Sequence, residues 1–135
     1  MRKKAPTNLQ DHNSPNNNPD LVALMKALPD GGTPRDIPEY HRPKSGYGNT
    51  YCRLWWNRPS TTLTRNFGTP SSSRCIHPKA ARALTTREGA RIQSFPDSFQ
   101  FYGSRSARNL QIGNAVPPLL SEALAEAILN HFMAE

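Results

Sequence analysis

Apolar residues recur near the end of the chain at Val116, Leu119, Leu120, Ala123, Leu124, Ala127, Ile128 and Phe132. This spacing of three and four marks one face of a long helix. A shorter stripe, Leu21, Leu24, Met25 and Leu28, predicts a helix in "PDLVALMKALPDGG", with Asp20 at its cap and Pro29 and Gly31-Gly32 ending it. Residues 33–49 read as loop. "TYCRLWW" alternates, with Tyr51, Arg53 and Trp55 on one face and Cys52, Leu54 and Trp56 on the other, a strand pattern that Pro59 ends. "TTLT" at 61–64 and "CIHP" at 75–78 are further β-prone pieces, separated by the turn-rich "GTPSSSR". Thr85 followed by Glu88 matches a capping box, so a helix is predicted from Thr86 to the Ser94-Phe95-Pro96 stop. "QIGN" at 111–114, with the two prolines after it, reads as the entry of the last helix. Asn114 would be its cap, and Pro117 and Pro118 would fall in its first turn. Strand and helix signals together predict a mixed, loop-rich α/β fold.

Composition narrows the range. The chain has 135 residues, including 13 prolines and two cysteines, and the first twenty residues have almost no large apolar side chains. Residues 1–20 are therefore expected to be a disordered leader to a single small domain. Two cysteines, Cys52 and Cys75, are too few for a disulfide framework or a four-ligand zinc site, and no metal is expected. No stretch reads as a membrane span or a signal core, so a soluble, cytoplasmic protein with no membrane partner is expected.

Charge adds a partner. Net charge is +7, and residues 35–108 hold thirteen Lys or Arg against four Asp or Glu, a local net of +9. Eleven of the thirteen are arginine, the side chain suited to planar recognition of phosphate and guanine, so a nucleic-acid surface is expected ahead of a merely solvated basic face.

Two blocks then become recognisable. "RALTTREGARIQSFPDSF", residues 82–99, resembles motif IX of the DNA cytosine-5 methyltransferases, and "QIGNAVPPLLSEALAEAI", residues 111–128, resembles their motif X. "YCRLWWNRPSTTLTRNFGTPSSSRCIHP" is similar to the end of the target-recognition region that precedes motif IX in that family. The resemblance covers about residues 20–130. It implies three parts: a leader over 1–20, a small β-containing recognition region with motif IX over 21–110, and motif X with the terminal helix over 111–135. It also implies that this helix packs on a Rossmann-like catalytic domain absent from this chain. Members flip the target base out, add a cysteine thiolate at C6 and methylate C5 from S-adenosylmethionine.

The residues for that step do not occur here. Tyr51 precedes Cys52 and Arg74 precedes Cys75, so neither thiol is the family's Pro-Cys nucleophile, and there is no Glu-Asn-Val. No catalytic residue is expected in this chain, and none of its own activity. The resemblance implies the C-terminal part or small subunit of a restriction–modification transferase, partnered by a subunit or domain that carries the Pro-Cys and Glu-Asn-Val motifs. The initial Met and polar leader fit a separately translated subunit, and also a gene remnant with an internal start. For cofactor contact it implies Asn114 and Val116. For double-stranded DNA it implies Arg53 as a guanine reader, Thr62 and Thr64 as phosphate contacts, and Arg65 and Arg74 as further contacts on the loops. Arg82, Arg87, Glu88 and Arg91 read as architectural. The competing readings are a non-enzymatic DNA-binding module and an inactive gene remnant.

Overall fold

The computed structural model describes residues 9–134; the first eight residues of the expected leader lie outside the described part. Among the described residues four α-helices are formed: α1 (Pro19–Ala27), α2 (Thr86–Ile92), α3 (Arg105–Asn114) and α4 (Pro118–Met133). Two 3-10 turns, Pro34–Asp36 and Glu39–His41, punctuate the loop after α1.

The expected β-containing fold is not what forms. Among the described residues there is no strand, only two isolated bridges, Arg53 with Ile76 (parallel) and Ile76 with Ala83 (antiparallel). The cause lies in where the backbone donors of 51–56 go. Tyr51 sits at φ 53, which breaks the extended run at its start. The Arg53 amide bonds to the Gly32 carbonyl and the Leu54 amide to the Ile76 carbonyl, so the segment is held by two different loops and no ladder propagates.

Helix starts follow local chemistry. Asn18, not Asp20, caps α1, its Oδ1 accepting the Leu21 amide at 2.8 Å with Pro19 as the first helical residue. The Thr85–Glu88 box opens α2 as the sequence predicts: Thr85 Oγ1 accepts the Glu88 amide at 3.2 Å and Glu88 Oε2 accepts the Thr85 amide at 2.9 Å. Ser104 caps α3, a helix the sequence pattern does not reveal, by accepting the Ala107 amide. "QIGN" belongs to the end of α3. Pro117 takes the N-cap position of α4 and Pro118 is its first residue, so Asn114 does not cap that helix.

Two apolar clusters hold these parts. Leu24 and Met25 of α1 and Leu28 just after it meet Ile37 and Ile76, while Leu54, Leu63, Phe67, Leu84, Phe101 and Ile112 fill the space beside α2 and α3. Residues 10–12 lie against α2: the Asp11 carbonyl accepts the Arg87 amide, the Gln10 carbonyl accepts Arg87 Nε at 3.1 Å, and His12 Nδ1 lies 3.1 Å from Thr85 Oγ1. α4 buries no residue at all.

Candidate nucleic-acid interface

The basic stretch divides into cations turned inward and cations turned outward. Arg53, expected to reach base edges, is 5% exposed. Its guanidinium donates to the carbonyls of Met25 and Leu28 at the end of α1 and to those of His77, Pro78 and Ala80. Burial lowers its pKa from the usual arginine range. Arg74 also turns inward, donating to the Gly31 and Arg53 carbonyls at 2.8 and 2.6 Å, with its guanidinium 4.3 Å from the Trp55 ring centre.

Carboxylates take another group. Arg82 grips Glu88 through two bonds, 2.7 and 2.8 Å, and Arg91 grips Asp97 through two of 2.7 Å. Asp11, whose side chain is almost fully buried, pairs with Arg108 and lies 3.9 Å from Arg87. The architectural reading of Arg82, Arg87, Glu88 and Arg91 agrees with these contacts.

Left with no carboxylate partner among the described residues are the exposed Arg35, Arg42, Lys44, Arg58, Arg65 and Lys79. Three of them, Arg35, Arg42 and Lys44, line an open cleft of about 480 Å³ with Thr33, Ser45, Tyr47 and Thr50. Arg42 Nε is braced on the Ile37 carbonyl at 3.0 Å. The sequence flags these cations only as part of a charge sum. Their grouping depends on the two 3-10 turns, which fold the loop back on itself.

Thr62, Thr64 and Arg65 are exposed, as a DNA-contacting segment requires. Between and after them, Leu63 and Phe67 are buried in the core, so the segment is anchored at two points four residues apart without belonging to a sheet. A turn closes it, the Phe67 amide bonding to the Thr64 carbonyl at 3.0 Å. Beside it, Pro59–Leu63 faces Ile92, Gln93, Gly113, Ala115 and Pro117 across an open cleft of about 670 Å³.

Asn114 and Val116 are both exposed at the joint between α3 and α4. An exposed amide and an exposed apolar side chain two residues apart are the kinds of group that can form part of a cofactor-pocket wall. Beyond it, α4 presents Leu119, Leu120, Leu124, Ile128 and Phe132 to solvent, each 50–69% exposed. Contiguous apolar exposure of this kind marks a surface built to be covered.

The cysteines are poorly placed for nucleophilic work. Both are buried, and burial pushes the Cys75 thiol up to about 12. Among the described residues no group of three or more His, Cys, Asp or Glu could hold a metal ion, and no helix is long and apolar enough to cross a membrane.

Comparison with known proteins places this arrangement. The family model for C-5 cytosine-specific DNA methylases matches residues 5–130, and the chain belongs to that family. It is 41% identical over 119 residues to the type II methyltransferase M1.HphI of Haemophilus parahaemolyticus, covering 88% of this chain and 31% of that protein. It is 43% identical over 108 residues to the type II methyltransferase M.AgeI of Thalassovita gelatinovora, covering 79% and 25%. To M.PspPI of Psychrobacter sp. (strain TA137), also a type II methyltransferase, it is 44% identical over 115 residues, covering 78% and 27%. The chain thus spans about a third or less of the length of these relatives.

Proposed function

We propose that this chain is the part of a DNA cytosine-5 methyltransferase that recognises and grips the target duplex and supplies one wall of the S-adenosylmethionine pocket. The thiolate that attacks the base comes from a catalytic polypeptide carrying the Pro-Cys and Glu-Asn-Val motifs. The target-recognition work falls to residues 21–110 and the joint with the catalytic part to 111–135. The observation that carries the reading is α4: its apolar face leaves the body of the chain bare, directly after Asn114 and Val116. Covering Leu119, Leu120, Leu124, Ile128 and Phe132 stabilises an assembly by about 1.5–3 kcal/mol per side chain, as an upper limit.

Thr62, Thr64 and Arg65 contact phosphates and fix the register of the duplex. The cleft with Arg35, Arg42 and Lys44 adds sequence-independent grip. Arg53 and Arg74 serve from inside, holding the loops that present these residues. S-adenosylmethionine, when bound, supplies the methyl group; Asn114 and Val116 hold it from the side of this chain.

The test is binding of the purified chain to short duplex DNA by fluorescence anisotropy over a range of salt. Affinity falling steeply with salt, as phosphate contacts release counterions, supports the reading. No duplex binding, or binding insensitive to salt, contradicts it.

A further inference from the structure

The turn that carries Thr64 and Arg65 is seated on α2 and α3 through three glycines. A Cβ built on Gly113 would lie 2.5 Å from both the N and Cα of Arg65 and 2.7 Å from the Thr64 carbonyl carbon. One turn earlier on the same face of α3, Asn109 faces Gly68, whose own Cβ would fall 2.6 Å from Asn109 Nδ2. On α2, the Phe67 ring lies flush against Gly89, leaving no room there for a Cβ. Asn109 is further fixed by accepting the Thr86 hydroxyl at 2.8 Å, and Gln93 of the loop after α2 donates to the Ile112 carbonyl at 3.2 Å. α2, α3 and the turn 64–68 are therefore packed together as one piece.

Of the three contacts, the one at Gly113 is backbone against backbone. At Gly68 the obstructing atom is the end of a side chain, which can swing aside. At Gly113 nothing can yield except the course of the chain at 64–65 or the position of α3. Carbon atoms pack at roughly 3.5–4.0 Å, so any side chain at 113 drives the two apart by on the order of 1 Å. Helical propensity alone favours alanine over glycine at an interior helix position.

We propose that Gly113 is a positioning residue for DNA contact. By letting α3 touch the backbone of Thr64 and Arg65, it sets where the phosphate-contacting segment stands relative to Asn114, the next residue. The close approach thereby ties the spacing between the DNA backbone and the cofactor wall to a single helix. This inference rests on the assignment of Thr62 and Arg65 to phosphate contact.

A double-mutant cycle on the full chain separates the positioning role from the phosphate contacts. Duplex affinity is measured for the unchanged chain, Gly113→Ala, the pair Thr62→Val with Arg65→Gln, and all three changes together. Gly113→Ala is expected to weaken binding several-fold and to lower the slope of affinity against salt by about 1–2 phosphate contacts. Added to the pair, it should weaken binding clearly less than in the unchanged chain, because two of the three contacts it displaces are already gone and only that of Thr64 is left. Equal losses in both backgrounds, or no loss from Gly113→Ala alone, overturn the proposal while leaving DNA binding intact. A chain that binds no duplex at all overturns the DNA assignment itself. If circular dichroism shows Gly113→Ala to be unfolded, Gly68→Ala runs the same cycle through the neighbouring seat. A smaller loss that shrinks in the paired background then supports the proposal, and equal losses in both backgrounds overturn it.

Discussion

Arg82 and Glu88 face each other across the start of α2 in a two-bonded ion pair, Nη1 to Oε2 at 2.7 Å and Nη2 to Oε1 at 2.8 Å. The same Glu88 carboxylate accepts the Thr85 amide, and His77 Nε2 stands 3.7 Å from it. One side chain thus closes the helix cap and joins the 77–82 loop to α2.

Acid should undo this arrangement in a defined window. Burial by itself would raise the Glu88 pKa, but the Arg82 hydrogen bonds, the Thr85 amide and the charges of Arg82 and His77 outweigh it, leaving a value of about 2. A folded-state pKa below the unfolded one gives stability that is present above about 4.5 and lost as pH falls toward 2. The total is on the order of 3 kcal/mol. His77, whose pKa burial lowers, adds loss in the same direction, beginning as pH drops below about 6.5. In Glu88→Gln the decline between pH 4.5 and 2 should shrink in thermal melts; an unchanged acid limb would remove Glu88 as its source.

Arg53→Ala should act on stability. Its removal leaves four carbonyls, from Met25, Leu28, His77 and Pro78, without their donor inside the chain, while the Ala80 carbonyl keeps the Arg82 amide. Each unsatisfied buried acceptor costs about 1–3 kcal/mol, enough in total to unfold a small domain. A denaturation midpoint within error of the unchanged chain, with altered preference among duplex sequences, would restore Arg53 to base reading.

Leu124→Asp should do the reverse. Leu124 is half exposed on α4, so the chain alone should keep its melting temperature and its salt-dependent DNA binding. Capture of the catalytic polypeptide should fail, because the interface would then bury an unpaired carboxylate at a cost of several kcal/mol. Undiminished co-purification would show that α4 is not the docking face.

Parts of this architecture are legible in the sequence and parts are not. The Thr85–Glu88 spacing predicts α2 from its first residue because a capping box is a local device. The apolar face of α4 is equally plain. α3 is hidden because "SARNLQIGN" buries only Asn109 and Ile112, too sparse a stripe, and its end resembles an entry to the proline-led helix after it. The alternation at 51–56 misleads for a tertiary reason. Cys52, Arg53 and Leu54 are all buried in succession, since the end of α1 covers the Arg53 side while the α2–α3 core covers the other. Alternation of polar and apolar residues implies one wet face, and residues 52–54 have none.

The central claim is that this chain supplies recognition and the cofactor wall while another polypeptide supplies the thiolate. The direct measurement is transfer of labelled methyl groups from S-adenosylmethionine to duplex DNA, by this chain alone and mixed with a polypeptide carrying the Pro-Cys and Glu-Asn-Val motifs. The expected result is no transfer by the chain alone, transfer by the mixture, and reduced cofactor affinity in a mixture assembled with Asn114→Ala. Transfer by the purified chain alone, undiminished when Cys52 and Cys75 are both replaced by serine, would contradict it.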